Sequence, residues 1–547
     1  MPVTRQAILQ VAIALGCAGC TVGPAYHEPQ PDAAAKFGEA AHDAGLHAAG
    51  GSLPDTEADP DLLRRWWTAF HDPTLDSLID RALRNNRDLK VAVSRVREAR
   101  AEREIAAGAL LPEIDATAGY NRSRGSKNVV IPFSALTGAS GAPSSAAGTG
   151  QPKGAAAGRT LHAEDTGTAG TGSPAGVSST PSPSAPPGGP NSPFGEGGLP
   201  GVTTNLFQAG FDAVWEIDVF GGTRRTLEAA DAQASAAKEG ERGVRVTLLA
   251  EVASTYLQLR ADQAREAIAR RNLESERQTW KIADDKFKEG LGDEVQVEQQ
   301  AAQLLLTEAT LPPLMAAERL AQHALAFLLG EDPTALAGEL STPQSPPELP
   351  PEVPVGVPSD LLRRRPDIRQ AERNLATATA DVGVATAQLF PQFSLTGSLG
   401  LDSSDLKHLP EWGSRYYSIA PGIRWPLLDW ARLHAAIRAA NEEQNQAVLA
   451  YQTAVAQALK DVEDALVQYE SERDRHAALA QAVDAARRAR AVAAQIYTQG
   501  LADQLATLEA EQAQLQGEDT LAQSDAALRM DLIGLYKALG GGWEFPK

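Results

Sequence analysis

Apolar positions along this chain change their period in a fixed order. Val448, Tyr451, Val455, Leu459, Val462, Leu466 and Tyr469 recur at spacings of three and four, which puts successive side chains on one helix face and, when sustained, on a coiled-coil seam. Taken as one helix, residues 433–499 span about 100 Å at about 1.5 Å per residue. Elsewhere the period drops to two. Ile114, Ala116, Ala118 and Tyr120 alternate with Asp115, Thr117, Gly119 and Asn121, and Phe207, Ala209, Phe211, Ala213 and Trp215 alternate with a mostly polar set. The same holds for Phe393, Leu395, Gly397, Leu399 and Leu401, and for Tyr417, Ile419, Pro421, Ile423 and Trp425. These runs predict four strands, near 113–122, 206–215, 392–401 and 416–425, each of a length that suits a tilted transmembrane β-strand.

The alternation of periods is itself repeated. Residues 82–112 align without gaps on 361–391, and 215–330 on 425–540, so that Gly290-Leu291 meets Gly500-Leu501 and Asp293 meets Asp503. Both Gly-Leu pairs read as turns between long helices, glycine letting the chain stop and reverse. In the returning helix of the first half, Pro312-Pro313 predicts a kink or a break. The chain is thus internally duplicated, with a first structural repeat at 66–341 and a second at 359–547, joined by a Pro-rich linker at 342–358. The first half also carries a run rich in Gly, Ser, Ala and Pro, 126–200, which lacks the apolar residues for a core and reads as a disordered loop.

Composition sharpens this picture. Aromatic residues make up 5% of the 547 positions, and the abundant Ala, Gln, Glu and Arg favour long helices over bulky cores. A net charge of −20 argues against a nucleic-acid partner, which needs a Lys/Arg surplus. Residues 1–19 place Arg5 ahead of an apolar run from Ile8 to Leu15 and small residues ahead of Cys20, the pattern of a secretory signal. Cleavage before Cys20 leaves a lone thiol at the new N-terminus for acylation, and residues 20–65 become a lipid-anchored linker. Cleavage further on, without lipid, is the alternative. Cys17 stands at position −3, where bacterial lipoproteins carry an aliphatic residue.

Alternation alone is also compatible with two hairpins capping a soluble helical bundle. A lipoprotein-like start places the chain at an outer membrane instead. There four strands cannot close a barrel, and an open edge in hydrocarbon costs several kcal/mol per unsatisfied group. Two copies would give eight strands and a filled interior, whereas three would give twelve and a lumen.

Several short motifs point the same way. They are Cys20-Thr21-Val22-Gly23-Pro24-Ala25-Tyr26 with Pro29, Trp66-Trp67 followed by Phe70, Asp72-Pro73 and Leu75, and Trp215-Glu216-Ile217-Asp218-Val219-Phe220-Gly221. To these are added Pro358-Ser359-Asp360-Leu361-Leu362 with Arg365-Pro366-Asp367-Ile368, and Ala538-Leu539-Gly540-Gly541-Gly542-Trp543. In these motifs the chain resembles the TolC-like outer membrane factor family, specifically the lipoprotein (NodT-type) branch of tripartite efflux pump outer membrane subunits. The resemblance implies a mainly α fold with a membrane β-barrel portion: four strands per protomer, a long coiled-coil helical barrel, and a homotrimer in the outer membrane that extends into the periplasm. It implies a passive duct for drugs or other small molecules, without cofactor or metal. Its partners would be outer-membrane lipid, a periplasmic adaptor and an inner-membrane transporter of the resistance-nodulation-division class. By the same resemblance Gly290, Leu291, Asp293, Gly500, Leu501 and Asp503 are turns facing the adaptor, and Tyr497, Leu505 and Glu509 form a gate. Leu505 and Glu509 stand four apart, on one helix face; the plainer reading puts Leu505 in a core stripe with Leu501, Leu508 and Leu515, and Glu509 on the surface. Two features depart from the family: the 126–200 insertion, and Gln296 where related proteins often carry Asp.

Other classes fare worse. The nine histidines are scattered, and neither a His/Glu metal spacing nor a nucleophile elbow is present. Asp461, Glu463 and Asp464 read as a solvated helix face or inter-helix ion pairs and not as acid/base groups. A type I secretion duct for proteins and a non-pore coiled-coil scaffold lipoprotein remain the alternatives.

Overall fold

The computed structural model describes residues 21–29, 63–128, 201–349, 363–499 and 504–543. Cys20, the 129–200 part of the low-complexity run, the 350–358 part of the linker, and Gly500, Leu501 and Asp503 lie outside the described residues.

Two units emerge. The smaller, 112–215 with 395–422, is built on a four-stranded sheet in the order β1-β2-β3-β4. Its strands are β1 (Glu113–Arg124), β2 (Thr203–Ile217), β3 (Gln392–Ser403) and β4 (Arg415–Arg424). β1 and β2 run antiparallel with Thr117 opposite Gly210 and Tyr120 opposite Phe207, whose rings stack at 4.7 Å. Because side chains alternate across the pleat, one face carries Ile114, Tyr120, Phe211, Leu399, Tyr417 and Ile419, all exposed. The other carries Asp115, Thr117 and Asp212, the Thr117 hydroxyl donating to Asp212 at 3.0 Å. β1 and β4, at the two ends of the order, each have one unpaired edge within the chain.

The larger unit is helical. It contains α1 (Pro73–Asn85), α2 (Arg87–Gly108), α3 (Gly222–Lys288), α4 (Glu294–Glu308), α5 (Leu311–Leu328), the short α6 (Ala337–Leu340), α7 (Pro366–Ala387), α8 (Trp430–Thr498) and α9 (Gln504–Ala538). The 67 residues of α3 and the 69 of α8 far exceed an average helix. Both pack against α7 and α9, and α3 also against α2, α4 and α5. Tyr451, Val455, Val462, Leu466 and Tyr469 of the heptad-like stripe are buried. The Pro312-Pro313 pair sits in the first turn of α5, where a missing N–H and a fixed φ are tolerated. The helix therefore breaks just ahead of it.

Motifs distant in sequence meet in one apolar node. Trp66, Trp67, Phe70, Leu75 and Leu78 pack with Leu249, Tyr256 and Leu259 of α3, Leu325 of α5, and Leu532 and Tyr536 of α9. Trp66 stacks on Tyr536 at 5.2 Å. The glycines before Trp543 make the closure possible, since a Cβ at Gly542, whose φ is +101°, would come within 2.6 Å of Leu249. Trp543 donates its indole N–H to the Arg364 carbonyl at 2.8 Å and lies under the Arg242 guanidinium at 4.2 Å. Arg365 ties the same corner together, reaching Asp367, Asp461 and the Ala538 carbonyl. At the node's edge the fully buried Arg260 donates to the Tyr256 hydroxyl, to Gln263 and to the Thr342 carbonyl at the start of the linker.

Candidate functional site

Two helical hairpins, α3–α4 and α8–α9, end in the matched turns. At the first, Gly290 takes φ +73°, Gly290 N–H donates to Phe287 O and Leu291 N–H to Lys286 O, closing the helix in the manner that only a left-handed residue allows. Leu291 is left largely exposed. Asp293 then caps α4 by accepting from Val295 N–H at 3.2 Å, which satisfies a donor that the helix start would orphan. At the second, α8 runs to Thr498 and α9 resumes at Gln504.

Tyr497, one of the three gate residues expected from sequence, faces the first hairpin. Its hydroxyl accepts from Lys286 Nζ at 2.6 Å, and the ammonium stands 4.7 Å from the ring centroid, close enough for a cation–π attraction. Leu505 lies in the first turn of α9, with its side chain outside the described part, and Glu509 is exposed further along that helix. Tyr497 is thus brought against the opposite hairpin; Glu509 points to solvent in the protomer.

Beyond that contact lies a polar layer that sequence reading missed. Glu511 of α9, nearly buried, accepts from Arg490 of α8 at 2.9 Å and from Ser275 of α3 at 3.1 Å. Gln512 donates to Gln303 of α4 at 2.8 Å, and Gln303 donates on to Glu276 of α3 at 3.2 Å, which also accepts from Thr307. Burial, reinforced by the charge on Glu511 and opposed by the two donors, raises the Glu276 carboxyl above its ordinary range. One Glu276 oxygen and the Gln300 amide nitrogen are buried without a partner. A signal for this layer was present: Leu508, Glu511 and Leu515 share one helix face by their spacing, so a carboxylate interrupts an apolar stripe. Ser275 and Gln303, two hundred and more positions from their partners on α9, had no local signature, and Arg490 lies 21 positions from Glu511 on a different helix.

The segment after Cys20 is docked. Val22 N–H donates to Phe220 O at 3.1 Å, Arg225 reaches the Val22 carbonyl at 3.2 Å, and the Tyr26 hydroxyl donates to Glu372 at 2.6 Å. A Cβ on Gly23 would stand 2.5 Å from the Gly383 Cα, so the two backbones approach this closely only with glycine at 23. Among the described residues no cluster of His, Cys, Asp or Glu is arranged to hold a metal. None of their helices is long and apolar enough to cross a membrane.

Comparison with known proteins places this geometry. Residues 78–149, 176–331 and 357–541 match the outer membrane efflux protein family. The pyoverdine export outer membrane protein OpmQ of Pseudomonas putida is 30% identical over 497 residues, covering 89% of this chain and 90% of its own. The toluene efflux pump outer membrane protein TtgI of Pseudomonas putida is 29% identical, covering 96% of each chain. Among solved structures, the outer-membrane channel OprN superposes with a TM-score of 0.77 at 32% identity, over 96% of this chain and all of that one. The fold is the TolC-like one, and the family is one of channel proteins in the outer membrane, extending into the periplasm, that form trimers and work with an adaptor and an inner-membrane transporter. The chain is accordingly an outer-membrane export duct of a tripartite pump, and it belongs to the outer membrane efflux protein family.

Proposed function

We propose that three copies of this chain close one barrel and carry small organic molecules outward, with the periplasmic end gated at the paired turns. The unpaired edges of β1 and β4 support the trimer, because each must find a partner strand inside a bilayer. Relatives named for pyoverdine export and toluene efflux support small organic cargo, and a proton-driven pump of the resistance-nodulation-division class supplies the energy. Acylation at Cys20 fixes the N-terminus to the membrane, consistent with the docked segment from Val22 to Tyr26 that follows it. An intact mass without acyl chains would refute this. Gly290, Leu291 and Asp293, with Gly500, Leu501 and Asp503, present the turns to the adaptor.

The observation that carries the gate is the Lys286–Tyr497 contact, which joins the two hairpins beside their turns. While it holds, α8 and α9 are tethered to α3 at that level. In a trimer, Leu505 and Glu509 would then each form a ring of three near the axis, the first narrowing it and the second favouring cations. Planar-bilayer recordings test this directly. Lys286→Met should raise the closed-state conductance with the trimer intact, and Leu505→Ala with Glu509→Ala should raise it further and weaken cation selectivity. Normal assembly with unchanged conductance and selectivity in both would sink the assignment.

A further inference from the structure

The two strand-to-helix junctions of the duplicated chain differ in how much apolar side chain they leave open. In the first repeat, Asp218 accepts from the Arg224 backbone N–H at 2.9 Å and from its guanidinium at 3.3 Å. Phe220 stacks on Phe390 at 4.7 Å, and its carbonyl takes Val22 N–H from the N-terminal segment. That junction is tied down by its own chain, with Ile217 and Val219 left 37% and 39% exposed.

The matching residues of the second repeat, in the register that pairs 215 with 425, are Leu428 in place of Asp218 and Trp430 in place of Phe220. Leu428 is fully exposed, Leu427 is 64% exposed and Trp430 is 62% exposed. Trp425 anchors one end of the loop by donating its indole N–H to the Leu389 carbonyl at 3.1 Å, while more than half of the side chain stays open. Polar groups gather beyond it: Asp429 pairs with Arg432 at 3.0 Å, and Trp430 lies 4.3 Å from the His434 ring. Four large apolar side chains beside an ion pair are costly in water and favourable at a headgroup boundary, where tryptophan has an apolar body to bury and an N–H to keep wet. Trp425 and Leu427 follow at alternate positions the exposed apolar residues Tyr417, Ile419 and Ile423 of β4, and Leu428 and Trp430 come in the turn and at the first residue of α8.

Resting on the outer-membrane reading of the chain, we infer that Trp425, Leu427, Leu428 and Trp430 form a second membrane anchor, inserted into the headgroup–acyl boundary of the phospholipid leaflet facing the periplasm. Each protomer is then held at two junctions by different chemistry. In the first repeat a docked N-terminal segment leads back to the acylation site; in the second, side chains of the loop itself enter the lipid.

The test uses the full chain in phosphatidylethanolamine–phosphatidylglycerol liposomes, with an environment-sensitive fluorophore on Leu428→Cys and, as control, on Glu274→Cys of α3. Intact mass verifies a single label. Emission from position 428 should shift to the blue and be lost to phospholipids carrying a shallow nitroxide, while position 274 responds only to aqueous iodide. If position 428 is quenched by iodide and not by lipid, the anchor does not exist. If it is shielded from both until the oligomer is dissociated, a neighbouring protomer covers the loop, and the inference is equally overturned. Leu428→Asp, which installs the first repeat's residue, should leave the melting temperature in detergent unchanged and remove part of the stabilisation gained on moving to lipid; an unchanged gain would count against the anchor. Conductance and lipid quenching at Ile419→Cys, measured in parallel, separate the two levels. Losing both would undermine the membrane reading itself, whereas losing only the signal at 428 removes the anchor.

Discussion

The node around Trp66 and the layer around Glu511 join the same long helices by opposite means. In the node, Trp66, Trp67, Leu249, Leu259 and Leu532 are almost wholly removed from water, and the attraction is non-directional and cumulative. Between the hairpins near the turns, α3 and α4 meet α8 and α9 through Lys286–Tyr497, Ser275–Glu511–Arg490 and Gln303–Gln512. Such a bond adds about 0.5–1.5 kcal/mol net between neutral groups and about 1.5–3 kcal/mol where a charged group takes part, because water competes for it. A joint of the first kind fixes helices; a joint of the second kind lets them part and re-form. The difference predicts rigidity at the node and leaves the helix pairs freer to move near Lys286 and Tyr497.

The comparison is broken most severely at the node. Trp66→Ala should remove about 3–5 kcal/mol of stability and lower the heat resistance of the assembled channel on gels. A loss under about 1 kcal/mol would mean that the node does not hold the helices. Alkali probes the same region more gently. Burial, then the hydrogen bond to Asp72, pushes the Tyr256 hydroxyl up to about 12, and burial pushes that of Tyr536 up to about 12 as well. An unfolded phenol ionises near 10, so the neutral form is favoured in the fold. The resulting stability is complete below pH 10 and is lost as pH rises through about 12. Melting curves between pH 9 and about 12 should show this decline, with Tyr256→Phe flattening it.

In the layer the effects are smaller, and one changes sign. Glu511→Ala removes the shared acceptor of Arg490 and Ser275 and should cost about 1–3 kcal/mol, chiefly loosening the hairpins, which hydrogen exchange at α8 and α9 would detect. Glu276 is the opposite case. Its folded carboxyl is raised by burial, so the protonated form is favoured in the fold; that contribution is present at low pH and is lost as pH rises through the folded value. Glu276→Gln keeps an acceptor for Thr307 and Gln303 without the charge. It should raise the melting temperature at pH 7 and reduce the stabilisation that the wild-type chain gains on mild acidification, and a lower melting temperature would contradict the layer as described.

Much of the architecture was legible because it rests on short-range periodicity. The stripe from Val448 to Tyr469 could be read as one long helix, and strict alternation at Ile114–Tyr120 and Phe393–Leu401 as strands, since each pattern needs only the residues beside it. Pro312-Pro313 announced a break for an equally local reason. The convergence of Trp66, Trp543 and Arg365 at one corner was visible only as separate motifs. Their packing depends on Gly542 and Gly540 bringing the end of α9 against α3 and Arg365, which nothing in the spacing of the motifs discloses. Of the gate, Tyr497 was picked out through resemblance, but its partner Lys286 was not, because a contact across 211 positions leaves no trace in either neighbourhood. Ser275 escaped notice as a partner of Glu511 for the same reason, being 236 positions away, while Arg490 is 21 positions from Glu511 but on the other helix of the pair.

The composition of the node also dictates an order of events. It draws Trp66 and Leu75 from the first helices, Tyr256 and Leu325 from α3 and α5, and Leu535, Tyr536 and Leu539 from α9 and the residue after it. No chain ending before Leu539 contains all of them, so Trp66 and Trp67 must wait, exposed, while some four hundred and seventy further residues arrive. Contacts of such long sequence separation are slow to form and leave sticky surface open meanwhile. The node therefore closes only after Leu539 is made: a truncation ahead of Leu535 would strand a chaperone-dependent intermediate instead of producing a slightly weaker channel.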